Sequence, residues 1–300
     1  MKTLLVLLGP TGVGKTDLSI GIAKAFGTEI ISCDSRQIYK EMRIGTAVPS
    51  PGQLAAVRHH FIQMISVHDY YNSWQFEVQA LERIRELFRE KEVVLMTGGS
   101  MLYIDAVCKG IDDIPTISPE LRTGLMEVYE REGLESIRQM LKELDPVFYG
   151  QVDLNNGKRV LHAVEVCCMA GVPYSSLRKN TPKDRGFRIV RIGLNREREE
   201  LYARIDRRVD LMLEEGLEDE ARRLWPLRHL NALNTVGYKE LFDYFEGKTD
   251  YAEAVRLIKR NSRRYARKQL SWFRRDDDIR WFHPDDYEGI VEAIRLMKIG

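Results

Sequence analysis

An uninterrupted apolar run, Leu4-Leu5-Val6-Leu7-Leu8, leads straight into Gly9-Pro10-Thr11-Gly12-Val13-Gly14-Lys15-Thr16, and this junction limits the folds open to the chain more than any other feature. The second segment satisfies G-x-x-x-x-G-K-[ST] in full. Such a loop works only where a buried strand delivers it and a helix leaves it, because its N–H groups must converge on phosphate oxygens at the positive end of that helix. Glycine lets the backbone turn inward, Lys15 adds a full charge, and Thr16 offers a hydroxyl to Mg2+. A chance turn before a helix is the bland alternative, and the strand and helix patterns on either side argue against it. The motif leaves the ligand open: ATP is the usual guess for a nucleotide-binding P-loop, but any diphosphate ester presents the same oxygens.

The rest of the chain fits a P-loop NTPase-like α/β fold, a parallel sheet flanked by helices. Strand patterns at 29–33 and 93–97 alternate with helical patterns at 15–26 and 74–90. After Gly110, Pro115 and Pro119 punctuate a loop, and helical periodicity without a strand continues to Arg185. Strand pattern resumes at 188–194, helices are expected at 198–215, 239–245 and 251–273, and a last strand at 280–282. The expected organisation is a first part of the core at 1–113, an all-helical insertion at 114–185 and completion of the core at 186–300. With 300 residues, 44% of them hydrophobic, there is enough chain for this. The four cysteines form neither a C-x-x-C pair nor a zinc spacing and read as small buried residues in a reducing cytosol. The opening apolar run is too short for the roughly 7–15-residue core of a signal peptide, and no later run would span a bilayer. A cytoplasmic monomer is expected.

Ile30-Ile31-Ser32-Cys33-Asp34 puts an aspartate at the carboxyl end of the second strand, the edge on which open parallel sheets bind ligands. Asp34 could ligate a metal, act as general base on an incoming nucleophile, or simply cap the turn that starts there.

Taken with the P-loop, three further segments resemble the bacterial type of tRNA dimethylallyltransferase: Asp34-Ser35-Arg36-Gln37-Ile38-Tyr39, Ile44-Gly45-Thr46-Ala47 and Gly98-Gly99-Ser100-Met101-Leu102-Tyr103. The likeness continues through Gly237-Tyr238 into the basic stretch near the C-terminus. It implies Mg2+-dependent transfer of the dimethylallyl group of dimethylallyl diphosphate to the exocyclic amine of the adenosine just 3′ of the anticodon, with diphosphate rather than ATP in the P-loop. It also implies that Asp34 is the general base, that Thr11 and Thr16 belong to the diphosphate and metal site, and that Arg208 binds diphosphate. Ser35, Arg36, Gln37, Ser100, Arg122 and Lys158-Arg159-Val160-Leu161-His162 are implied tRNA contacts, with the insertion on the anticodon stem. Three positions depart from the family pattern: Ser100 stands for a common Thr, His162 for Arg and Val48 for a frequent Lys.

Overall charge says nothing about partners, since 46 Lys and Arg face 45 Asp and Glu. Its distribution is more telling. Between Arg256 and Arg275 there are nine basic residues and no acidic one, with Arg256, Arg260, Arg263 and Arg267 at helical spacing and Tyr265, Trp272 and Phe273 interleaved. A solvated helix face is the bland reading; the missing acids favour RNA phosphates, with Arg263, Arg267, Lys268 and Arg274 as contacts. Arg178, Lys179, Lys183 and Arg185 form a second basic group. The rival readings are a P-loop kinase of a small metabolite and a non-catalytic RNA-binding protein.

Overall fold

The computed structural model describes residues 1–179 and 181–297; the last three residues of the expected core completion lie outside it. The chain divides into two compact units, Met1–Cys108 with Arg185–Gly300, and Lys109–Asp184.

The first unit begins β1 (Thr3–Leu8), α1 (Lys15–Ala25), β2 (Ile30–Ser32), α2 (Pro51–Ala56), β3 (His59–His60), α3 (Ser73–Leu87), β4 (Val93–Gly98) and α4 (Met101–Lys109). The second unit holds α5 (Pro119–Glu132), α6 (Leu134–Leu144), α7 (Pro146–Tyr149), α8 (Gly157–Ala170) and α9 (Tyr174–Leu177). The chain then returns to the first unit through β5 (Arg188–Leu194), α10 (Arg198–Glu214), α11 (Leu217–Leu224), α12 (Tyr238–Phe245), α13 (Tyr251–Phe273), β6 (Arg280–Phe282) and α14 (Tyr287–Leu296).

The six strands form one parallel sheet in the order β3-β2-β4-β1-β5-β6. Because both faces are covered, β1 has no polar side to show, which is why it reads as a continuous apolar run. Leu4, Val6 and Leu8 join one core with Phe76, Ile84 and Ile258, while Leu5 and Leu7 join another with Leu18, Ile22, Ile205 and Ile290. The helical unit has its own core of Leu125, Ile137, Leu141, Phe148, Val160, Leu161 and Val164. Among the described residues no helix is long and apolar enough to cross a membrane. Cys33 and Cys167 are buried as expected, but Cys108 is half-buried and Cys168 exposed.

The topology positions the site. In register, Leu8 pairs with Gly98 and Gly193, and Ser32 with Thr97. The carboxyl ends of β2, β4, β1 and β5 therefore finish on one edge, and the chain segments leaving them, with Asp34, Ser100, the P-loop and Arg196, share it.

Candidate active site and nucleic-acid interface

The P-loop owes its shape to glycine. Gly9, Gly12 and Gly14 have φ of 159°, 80° and 107°, and a Cβ on Gly12 would stand 2.7 Å from Cγ1 of Ile205. The loop ends at the head of α1, where Thr16 is half-buried. Lys15 donates through Nζ to the carbonyls of Gly9 at 3.0 Å and Pro10 at 2.8 Å. Its burial and the neighbouring Arg208 lower its pKa to about 8. Arg208 comes from α10, is depressed by the same burial, and donates to the Thr11 hydroxyl at 3.3 Å. Two half-buried cations thus converge on one loop, an arrangement that is costly unless an anion joins them.

Asp34 is the near negative charge, acting on both Lys15 and Arg208. Its Oδ1 accepts the N–H of Arg36 at 2.8 Å and of Gln37 at 3.2 Å. The turn-capping role is therefore real, and it occupies one oxygen only: among the described residues Oδ2 accepts no hydrogen bond. Ser100, leaving β4, accepts the Ser35 N–H at 2.8 Å through Oγ and donates to the Ser35 hydroxyl at 3.1 Å. The Ser100 hydroxyl thus orders the loop that carries Asp34. Gln37 donates to the carbonyls of Thr46 and Ala47 at 3.0 and 2.9 Å. Arg36 reaches the Asn231 carbonyl at 3.4 Å.

Three supports escape a reading of sequence alone. Gln269, buried in α13, accepts the Thr11 N–H at 2.9 Å and donates to the Gly99 carbonyl at 2.8 Å, tying the P-loop to the end of β4. Tyr265, four residues earlier, is 36% exposed over the whole residue, yet desolvation of its hydroxyl followed by the charge of Asp34 pushes its phenol up to about 12. Glu220 accepts N–H groups from Arg43, Ile44 and Gly45 and the hydroxyl of Tyr238. Helix spacing could have flagged Gln269 and Tyr265 as one face; nothing local marks Glu220 among the acids around it.

The basic stretch on α13 is divided by packing. Arg263 is paired with Asp206 of α10 at 2.6 Å and lies over the Tyr202 ring, Lys259 is paired with Asp210 at 2.6 Å, and Arg256 with Glu253. The acids missing from the stretch itself come from a neighbouring helix and from the helix's first turn. Arg264, Arg267, Lys268 and Arg274 stay exposed. Of the interleaved aromatics, Phe273 is buried and Trp272 is half-buried, its Nε1 donating to Asp105 and its ring covered by Arg275. Arg185 does not belong to a basic surface: it is buried against Glu77 and donates to the carbonyls of Ala106 and Val107.

In the helical unit, α8 sorts its own segment by period. Val160 and Leu161 point into the core and carry packing, while Lys158, Arg159 and His162 are exposed. Arg122 and His162 share Glu165, at 3.1 and 3.3 Å, and they hold the pKa of this largely buried carboxyl down against the effect of its burial. Lys158, Arg159, His162 and Arg178 line a cavity of about 510 Å³ with Phe148 and Tyr174, whose rings carry the Arg178 guanidinium at 5.3 and 5.6 Å.

A parallel P-loop sheet that sets one carboxylate against two half-buried cations has the make-up of a group-transfer enzyme. The family model described as IPP transferase matches residues 37–276. The chain is 58% identical over 290 residues to tRNA dimethylallyltransferase 2 of Parabacteroides distasonis, covering 97% of both. It is 60% identical over 289 residues to tRNA dimethylallyltransferase 2 of Porphyromonas gingivalis, covering 96% of both. The full-length tRNA isopentenylpyrophosphate transferase of Bacillus halodurans is similar with a TM-score of 0.71 at 34% identity, over 99% of this chain and 96% of that one. A eukaryotic dimethylallyltransferase acting on tRNA gives 0.83 at 25% identity, over 99% and 79%. The chain belongs to the IPP transferase family, the tRNA dimethylallyltransferases.

Proposed function

We propose that the chain transfers the dimethylallyl group of dimethylallyl diphosphate to the N6 amine of the adenosine immediately 3′ of the anticodon in tRNA and releases diphosphate. The observation that carries this reading is the facing of Asp34, with one carboxylate oxygen unbonded, by Lys15 and Arg208 at the P-loop. The bond from N6 to the allylic carbon forms as the bond from that carbon to the diphosphate oxygen breaks. Leaving-group charge builds beside Lys15, Arg208 and the loop N–H groups, which are fixed in place before reaction. The amine becomes acidic only as nitrogen gains its bond to carbon, and Asp34 Oδ2 accepts the proton. Asp34 stays in position because Oδ1 is held by two N–H groups.

The family's divalent metal fits the donors present. The Thr16 hydroxyl stands at the head of α1 with no protein hydrogen-bond partner among the described residues, and the other ligands would be diphosphate oxygens and water, a hard oxygen set suited to Mg2+. When bound, Mg2+ would supply charge neutralisation on the diphosphate. Arg264, Arg267 and Lys268 on α13 and Arg274 just past its end, with Ser35, Arg36 and Gln37, form the tRNA surface of the first unit, and Lys158, Arg159 and His162 that of the second, directed at the anticodon stem-loop.

Labelled transfer from dimethylallyl diphosphate to tRNA, run beside phosphate transfer from ATP to small acceptors, tests the proposal. Prenyl transfer without kinase activity is expected; kinase activity without prenyl transfer defeats it.

A further inference from the structure

We infer that Arg196 is a positioning residue for the donor diphosphate, acting through the backbone of the P-loop; the inference rests on the reading of that loop as the diphosphate site. Arg196 lies two residues beyond the end of β5 and is 7% exposed. Its Nε donates to the carbonyl of Val13 at 3.0 Å. Its two terminal nitrogens are both bonded by Asp285, from the segment between β6 and α14, and Nη1 also by Glu200 of α10. Four of the five guanidinium N–H groups are therefore engaged: one on the loop and three on carboxylates.

The consequence follows from peptide geometry. In a trans peptide the carbonyl and the following N–H point to opposite sides of the chain. Holding the Val13 carbonyl outward aims the Gly14 N–H inward, at the phosphate cradle. An outside restraint is needed here because Gly14, at φ 107°, is a residue whose backbone rotates freely, so nothing in the loop itself prevents that peptide from turning over. Arg204 adds a second brace, donating through Nε to the Gly12 carbonyl at 3.1 Å, and a Cβ on Gly14 would lie 3.7 Å from Nη2 of both arginines.

Arg196 differs from Arg208 in what its charge can do. Arg208 is half-buried beside the loop hydroxyl and faces Asp34 and Lys15, whereas the charge of Arg196 is cancelled by Asp285 and Glu200. The exposed cluster of Glu200, His283 and Asp285, which could resemble a metal site, has both carboxylates on this arginine. Arg196 therefore acts by direction, not by attraction.

That difference gives a test with opposite signs. Inorganic pyrophosphate binding is measured by calorimetry on the full chain, with tRNA affinity measured in parallel. Arg196→Lys keeps the charge but cannot serve all three partners, and should weaken pyrophosphate binding about tenfold, the worth of one hydrogen bond to a charged group. Asp285→Asn removes a negative charge near an anion site, so attraction alone would tighten binding; release of the Arg196 lock should instead weaken it by about threefold or more. Asp285 is exposed, so this variant should fold. Guanidinium ion added to Arg196→Gly should restore pyrophosphate affinity, which a merely unstable variant would not show. Tighter binding by Asp285→Asn, or unchanged binding by Arg196→Lys, overturns the inference. Absence of prenyl transfer by the unaltered protein would instead sink the proposed function and leave the pyrophosphate comparison standing.

Discussion

The Lys15 ammonium donates to the carbonyl of Pro10 at 2.8 Å, so the loop's strongest cation is folded back on its own backbone in a site that burial has already made unfavourable for charge. Its pKa, lowered to about 8, falls within reach of experiment. Under the proposed function the donor diphosphate needs the charged form. As pH rises through about 8 the free protein loses that charge, so kcat/KM for dimethylallyl diphosphate should fall, while kcat at saturating donor holds to higher pH because bound diphosphate raises the lysine's pKa again. Donor binding above pH 8 should accordingly take up a proton, measurable by calorimetry in buffers of different ionisation enthalpy. A pH profile of kcat/KM flat to pH 10 would contradict this.

Asp34→Asn separates the two duties of the aspartate. The amide oxygen can still accept from Arg36 and Gln37, so the loop should keep its form, and only the proton acceptor at the second oxygen disappears. Single-turnover transfer should fall by roughly 10²–10⁴ while tRNA affinity stays within a few fold. Recovery of the rate at high Mg2+ would make Asp34 a metal ligand instead.

The two halves of the basic stretch should behave differently. Replacing Arg267 and Lys268 by Gln should reduce the log–log salt slope of tRNA binding by about 0.7–0.9 for each phosphate that is no longer neutralised. Arg263→Gln should leave that slope alone and cost about 1 kcal/mol of stability or less, because its half-exposed charge is spent on Asp206. Salt titrations of tRNA binding and urea unfolding of both variants would decide it.

How much of the molecule is legible in its sequence depends on how locally each feature is encoded. The strand-loop-helix of the P-loop and the strand-end Asp34 are written in consecutive residues, and both stand where pattern alone places them. The two-residue β3 is too short to carry a period, and α14 is absent from the expected elements although its apolar residues Ile290, Val291 and Ile294 have helical spacing. The pairing of α13 with α10 illustrates the larger gap. A window with no acids from 256 to 275 reads as free charge, yet Asp206 and Asp210 neutralise Arg263 and Lys259 from a helix some fifty residues earlier. Arg196 is hidden in the same way, inside an Arg- and Glu-rich run whose members look interchangeable until the sheet edge singles one out. Its one sequence signal is its place two residues past the end of a strand, the same position that marks Asp34.

Glu220 offers the last prediction. Its carboxylate is buried and bonded to three consecutive N–H groups, of Arg43, Ile44 and Gly45, while the Tyr238 hydroxyl donates to it at 2.7 Å. Burial and the adjacent carboxylate push the Tyr238 phenol well above its ordinary range, so it stays a donor at any working pH. The same loop presents the Thr46 and Ala47 carbonyls to Gln37, which places Glu220 one step behind the proposed base-recognition segment. Glu220→Gln puts an amide group where only acceptors are wanted, leaving at least one N–H facing another donor. It should cost about 1–3 kcal/mol for each buried group left unsatisfied. Tyr238→Phe removes one donor and leaves the carboxylate with its three N–H partners, so it should cost about 1 kcal/mol. If the loop serves recognition, Glu220→Gln should also raise KM for tRNA while leaving pyrophosphate affinity unchanged, since none of its partners belongs to the P-loop. Denaturant unfolding and paired titrations with tRNA and pyrophosphate check both parts, and reduced stability with unaltered tRNA KM would confine Glu220 to a packing role.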